Sequence, residues 1–432
     1  MLTIIIIFFI FKEFFTFDTK TFEIFKQSKF VCPECVPYRL KFTSEGVITI
    51  SIPRIYSNKE DSNPTFVIDS QKDITVFSPK NKIYSVMGYT IDYEDKCYIL
   101  DQGKIFENLT IEKNTSKLLI FDSEWSKKDE YYFDGIDLNN NLLTDIIVDH
   151  EGKYAYITDS GNIKNKNSNP GLIIVDIKNR KSYKVLNNHK SFQENESNNL
   201  DYITSKNLIY ESLYNNIGVN NIQISCDDET IYYTSLKSQN IYSVSIEDIL
   251  ESIEKYKSSN NKDDLNNIKV NSINKRFFSE NFIISSKNNI FFINSDSKGI
   301  DISFNINKDF SYYNYEHNSK IQYKENNKNS SYSLDIYNGD LYLLDNNFNT
   351  NMSTIYKTEL KKDEINNNNG CTVFIFKPYG GIIFVFVWFF MVLAVVVLLI
   401  IVNSGQKLEK SNLLKEIEKE EEINELNREL NG

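Results

Sequence analysis

Histidine and cysteine are scarce in this chain of 432 residues, with three of the first and five of the second. Five cysteines are too few for a disulfide scaffold, and the odd count leaves at least one unpaired within the chain. Cys32 and Cys35 form a CPEC pair. No second CxxC accompanies it, which leaves a zinc site unsupported, and Pro37 with a strand-like segment follows where a redox motif needs a helix start. What remains is a structural disulfide, either local or joining the N-terminal pair to Cys371. The histidines, His150, His189 and His317, are scattered, so His-based catalysis is hard to assemble. The chain also has no Ser/His/Asp elbow, no phosphate-cradling glycine loop and no HExxH. Lys and Arg (48) are fewer than Asp and Glu (59) and form no stripe interleaved with aromatics, which argues against nucleic acid as a partner. Alanine is rare and roughly one residue in eight is Asn. Asn runs such as 366–369 are therefore read as compositional filler in loops.

What the chain has in abundance is apolar sequence at its two ends. Residues 380–402 read GGIIFVFVWFFMVLAVVVLLIIV without a charge, long enough to cross a bilayer as a helix. Residues 2–11 (LTIIIIFFIF) have the length of a signal-peptide core, and residues 1–17 are read as a signal peptide. The missing basic flank and cleavage site keep an uncleaved anchor or an N-terminal strand open. Lys407, Lys410 and Lys415 follow the C-terminal run closely and only Lys377 precedes it closely, so residues 403–432 are expected in the cytosol and the rest outside it. This predicts a single-pass type I protein of the secretory pathway, at the cell surface or on an endomembrane. Sequons at Asn108, Asn114, Asn195, Asn329 and Asn351 are compatible with glycosylation there, but in so Asn-rich a chain they are no more than chance supplies. Apolar residues from Leu408 to Leu430 among Glu and Lys fit an amphipathic tail helix that either pairs with a partner helix or stays solvated.

Between the two ends one pattern recurs six times: an apolar strand, a polar turn, and a second strand rich in aromatics. The copies are LKFTSEGVITIS (40–51), YTIDYEDKCYILD (89–101), IIVDHEGKYAYITD (146–159), IQISCDDETIYYTS (222–235), FIISSKNNIFFINS (282–295) and LDIYNGDLYLLD (334–345). Further strand-like runs follow, such as KLLIFD (117–122), GLIIVDI (171–177), NIYSVSI (240–246) and TIYKTEL (354–360). Units of about 50 to 75 residues with three or four antiparallel strands are the content of propeller blades. Two β-sandwiches give no reason for the same hairpin to recur six times. The fold class is therefore all-β, a six-bladed propeller over 29–369, and the polar gap 252–274 with its amphipathic stretch 247–256 is placed as an inter-blade insertion.

With these repeats in view, the chain resembles the major royal jelly protein and yellow family, its microbial branch more than its insect one. VITISIPRIY (47–56), DYEDKCYILDQGKI (92–105), LTDIIVDHEGKYAYITDSG (143–161) and GVNNIQISCDDETIYYTSLKSQNIYSV (218–244) carry the resemblance through their order and spacing. It implies a six-bladed propeller related to lactonase-like propellers, in agreement with the repeat count.

In a propeller, positions just before equivalent inner strands form a ring at the mouth of the central passage. Counting back from each hairpin turn gives Tyr38, Met87, Thr144, Asn220, Glu280 and Tyr332, and one position further on gives Arg39, Gly88, Asp145, Asn221, Asn281 and Ser333. Metal-assisted hydrolysis there needs several hard oxygen ligands converging on one cation. Where the resembled propellers commonly have Asn or Asp, this chain has Thr144, Asn220, Glu280 and Tyr332. Glu280 and Asp145 alone remain to hold a divalent cation weakly, and no firmly bound cofactor is expected. The same polar residues also suit plain capping of strand starts. The expectation is a non-catalytic, receptor-like propeller that takes a small polar or aromatic ligand at Tyr38, Asp145, Asn220, Asn221, Glu280 and Tyr332, or a protein on its face. The rival is an isomerase or lactonase-like hydrolase acting on a small cyclic substrate.

Overall fold

The computed structural model of the chain describes residues 23–29, 37–53, 65–70, 74–78, 82–103, 116–133, 135, 136, 138, 141–162, 169–193, 218–235, 238–274, 279–285, 289–294, 299–305, 320–322, 330–347, 352–360 and 419. The chain divides into two units, Met1–Val373 and Phe374–Gly432, and every strand among the described residues belongs to the first. Of the second unit only Lys419, which is helical, is among the described residues. The apolar runs 2–11 and 380–402, most of the tail, the CPEC pair, Cys371 and all five sequons lie outside them. No helix among the described residues is long and apolar enough to cross a membrane.

Six four-stranded antiparallel sheets make up the first unit. The first holds β2 (Arg39–Phe42), β3 (Ile48–Ser51), β4 (Phe66–Asp69) and β5 (Ile74–Phe77); the second β6 (Val86–Ile91), β7 (Cys97–Asp101), β8 (Lys117–Phe121) and β9 (Lys127–Tyr132); the third β10 (Asn141–Val148), β11 (Tyr154–Asn162), β12 (Gly171–Asp176) and β13 (Lys181–Val185). The fourth holds β14 (Val219–Ile224), β15 (Thr230–Ser235), β16 (Asn240–Ser245) and β17 (Val270–Asn274), and the fifth β18 (Ser279–Ile284), β19 (Asn289–Asn294), β20 (Gly299–Asn305) and β21 (Lys320–Gln322). In the last, β22 (Ser330–Tyr337), β23 (Asp340–Asn347) and β24 (Met352–Glu359) are completed by β1 (Glu23–Lys29) from the other end of the chain. The first strands touch in the cyclic order β2, β6, β10, β14, β18, β22 and back to β2, so the sheets close into a propeller around a central passage.

The recurring hairpin has a local cause. The turns from Thr43, Asp92, Asp149 and Ser225 each begin on a short polar residue whose side chain accepts the amide four or five residues on: Val47 N (3.1 Å), Lys96 N (2.9 Å), Lys153 N (2.7 Å) and Thr230 N (2.9 Å). The fourth position of each turn is left-handed and holds Gly46, Asp95, Gly152 or Asp228, residues that tolerate positive φ.

Hydrophobic residues collect between sheets, not at the axis. Six clusters fill the six gaps between neighbouring sheets, as where Tyr98, Leu100 and Leu118 of the second sheet meet Ile146, Ala155 and Ile157 of the third. Alternation divides each strand between two gaps: Ile157 packs toward the second sheet and its neighbour Tyr156 toward the fourth. Both faces of an inner sheet are thus dry, which explains near-continuous apolar runs such as GLIIVD in β12, buried at every position.

Two expected boundaries are corrected. The propeller does not begin at Lys29, because β1 runs from Glu23 and pairs with β24 from Glu23↔Lys357 to Lys29↔Met352. Phe25 of β1 packs edge-on against Tyr342, 5.2 Å between centroids. The 252–274 segment is not an insertion between blades. It lies inside the fourth sheet, where the helix Ile246–Ser259 and a 3-10 turn Lys262–Leu265 link β16 to β17. Ser245 caps the helix at the Asp248 amide, and Ile246, Ile249 and Ile253 bury its apolar side. Cys97 is free and buried, and Cys226 is disulfide-bonded with its partner outside the described residues.

Candidate functional site: the central passage

Four of the six inner strands are irregular at one level, with register shifts falling between Val86 and Tyr89, Leu143 and Asp145, Val219 and Asn221, and Ser279 and Phe282. A bulge places two residues against one and re-aims side chains, and these coincide with the positions singled out from the sequence. At this level Arg39, Gly88, Asp145 and Asn221 come together, with Asn281 and Ser333 at the equivalent positions of the last two sheets.

Arg39 is its centre. The side chain is 4% exposed, stacks on Tyr38 with its guanidinium carbon 4.7 Å from the ring centroid, places Nη2 3.3 Å from Asp145 Oδ2, and donates to the carbonyl of Asn220. Asp145 is engaged on both oxygens: Oδ2 also accepts Asn221 Nδ2 and the Ile222 amide, each at 3.3 Å, and Oδ1 accepts the Ile146 amide at 3.1 Å. Burial pushes its carboxyl above the usual range, and Arg39 followed by Lys41 opposes that rise. Arg39 Nε and Asn221 Oδ1 are buried with no hydrogen-bond partner among the described residues.

The expected ring residues sort accordingly. Asp145, Asn220, Asn221 and Tyr38 are brought together around Arg39. Thr144 instead turns to the next sheet, donating to the Val219 carbonyl at 2.6 Å, and Met87 is buried with its carbonyl accepting Ser51 Oγ at 3.0 Å. Glu280 and Tyr332 lie on β18 and β22, and their side chains are outside the described residues. On the Asp145 side of the weak cation site expected with Glu280, a guanidinium and three further donors surround the carboxylate. Among the described residues no three His, Cys, Asp or Glu side chains converge on a metal position.

The sequence reading missed the level below. Two residues further along the inner strands stand Lys41, Thr90, Ile147, Gln223, Ile283 and Asp335, all lining a cavity of about 200 Å³. Lys41 Nζ lies 3.4 Å from Asp335 Oδ1, and Asp335 Oδ2 accepts the Phe42 amide at 2.8 Å. Burial raises the Asp335 carboxyl, with Lys41 opposing. Stepping by two from Arg39 and Ser333, as strand alternation requires, reaches Lys41 and Asp335. Asp92 and Asp149 at the outer rim are occupied in capping their turns.

A streptogramin B lyase structure aligns with a TM-score of 0.43 and 10% identity, covering 78% of this chain and 87% of that one. Virginiamycin B lyase from Staphylococcus aureus gives 0.41 and 9%, covering 79% and 100%. The Cps50 (Swd1) β-propeller domain of Myceliophteria thermophila gives 0.39 and 9%, covering 78% and 99%. No curated protein matches the chain in sequence. The family model described as major royal jelly protein matches residues 84–373, from just before β6 to beyond β24, and on that match the chain belongs to the major royal jelly protein family.

Proposed function

We propose that the chain is a non-catalytic binding protein: a propeller displayed outside the cytosol, held to a membrane by residues 380–402, that takes a small polar or aromatic ligand on the side of the passage where the inner strands begin. The observation that carries this reading is the occupation of Asp145 by Arg39, Asn221 and two backbone amides. A carboxylate so engaged makes a poor ligand for a hydrolytic cation, because affinity in oxygen sites follows the number of free charged ligands. What the site offers instead is hydrogen bonding and aromatic surface: the Arg39–Tyr38 stack as a floor, Asn221 with an open acceptor, and Glu280 and Tyr332 from the neighbouring inner strands.

The test uses the purified full chain. Metal analysis, a thermal-shift screen of aromatic amines, lactones and divalent ions, and turnover assays on the lactones are run together. The expected result is stabilisation by a polar aromatic compound, weakened in Glu280→Ala and Tyr332→Ala, with no turnover. Metal-dependent lactone hydrolysis abolished by Glu280→Ala overturns the reading in favour of an enzyme. For the anchor, protease added to sealed microsomes should digest a C-terminal tag and spare the lumenal propeller; a protected tag reverses the orientation.

A further inference from the structure

One level along the inner strands from the Arg39–Asp145 pair lies the cavity of about 200 Å³, lined also by the turns that follow those strands. In it Lys41 and Asp335 face each other at 3.4 Å and cancel, as Arg39 and Asp145 do at the ring. Two further polar side chains line it. The side chains of Thr90, 4% exposed, and of the half-buried Gln223 make no hydrogen bond to another described side chain or backbone group. Both are therefore free to donate to and accept from a ligand in the cavity. Ile147 and Ile283 supply the apolar part of the wall.

We infer that this chamber binds a neutral polyhydroxy compound of monosaccharide size, a site separate from the ring-side recess. A hydroxyl both donates and accepts, which matches Thr90 and Gln223, each of which also does both. The Lys41–Asp335 pair offers donors and an acceptor with no net charge. A cationic or anionic ligand would break that balance and leave one buried charge without its counterpart, a costly state. The volume equals roughly six or seven waters, about what a pyranose or an inositol ring displaces, and the two isoleucines present a surface for its C–H face. The rim adds the carboxylates of Asp92, Asp95 and Asp149, each accepting turn amides, and the cationic probe below decides whether their charge outweighs the balanced Lys41–Asp335 pair.

Isothermal titration calorimetry on the full-length chain tests this with four probes of one size: D-glucose and myo-inositol as neutral polyols, gluconate as the anion, and glucosamine at pH 6 as the cation. The expected result is binding of at least one neutral polyol, with the charged probes about tenfold weaker or worse. Gln223→Leu and Thr90→Val, each removing one polar group at nearly constant volume, should weaken polyol binding by about tenfold apiece. If one variant fails to fold, the other decides. The inference is overturned by absence of polyol binding into the millimolar range, by tighter binding of gluconate or glucosamine, or by unchanged affinity in both variants when they melt like the parent. A chamber filled by water alone gives the first of these outcomes.

Discussion

A Cβ added to Gly88 would stand 2.6 Å from the Cα of Asp145. Gly88 occupies the ring position of the second sheet, between Arg39 on the first and Asp145 on the third, and its missing side chain is what lets β6 and β10 approach so closely. The clash is with backbone, which cannot rotate away. Gly88→Ala should therefore cost about 1 to 3 kcal/mol, the range for overpacking, read as a lower denaturation midpoint. A midpoint equal to the parent's would show that the inner strands separate freely.

Removing Arg39 alone should be worse than removing both partners. In Arg39→Ala the Asp145 carboxylate stays buried without its cation, a loss of about 3 to 5 kcal/mol, whereas Arg39→Met combined with Asp145→Leu should recover much of it. A double-mutant cycle on unfolding free energies decides, and additive losses would show the two charges to be uncoupled.

Asp101 gives the chain a pH signature. It is fully buried at the end of β7, where its carboxylate accepts the amides of Tyr84 (3.1 Å), Ser85 (3.0 Å) and Gly103 (3.0 Å). Burial outweighs those bonds and the nearby Lys117, so its carboxyl is pushed up to about 6 from 3.8. Since the folded state holds this proton more tightly than the unfolded state, the contribution is present in full below about pH 4. It is lost as the pH rises to about 6, at up to about 1.4 kcal/mol per pH unit. Asp101→Asn should flatten that part of the stability profile. A variant that keeps the parent's slope between pH 4 and 6 would assign the proton elsewhere.

Truncation should discriminate sharply at the N-terminus. A chain beginning at Glu23 keeps β1 and should melt near the full-length value, while one beginning at Lys29 strips the last sheet of its outer strand. The shorter chain also exposes the Tyr342 face that Phe25 covers. Loss of cooperative melting or aggregation is expected for it, by circular dichroism and light scattering. Equal melting of the two would make the closing strand dispensable.

The elements legible in the sequence are those with short-range causes. Five of the six hairpins announce themselves through turns opened by Thr43, Asp92, Asp149 or Ser225, and through the two-residue Asn338–Gly339 turn of the last sheet. The outer strands leave weaker traces, because a strand such as KKDEYY in β9 is mostly exposed and carries charge where an inner strand carries Ile and Leu. β1, EIFKQSK, was hidden for the same reason: its partner β24 lies more than three hundred residues away, and nothing local requires it to be a strand. At the site, the ring positions were legible from hairpin spacing, but the bulges at Thr144 and Asn220 were not. That extra residue turns Thr144 into the neighbouring sheet. Arg39, one residue beyond Tyr38, reads in sequence as an ordinary polar residue at a strand start. Its role depends on the absent side chain at Gly88, a fact about two strands at once.

The pairing of β1 with β24 also sets an order in time. Residue 23 meets residue 357, so the last sheet cannot be finished until nearly the whole propeller has left the ribosome. The other five sheets each pair only nearest neighbours along the chain and can form as they emerge. Until then the early strand waits unpaired, and the sixth gap between sheets has only one wall. Joining the ends of so long a segment is entropically expensive once, but each doubling of its length adds only about 0.6 kcal/mol, so long loops along the way delay the clasp little. The vulnerable interval is the wait itself, and a chain stalled before residue 352 would have five sheets, an open ring and an unpartnered strand at each end.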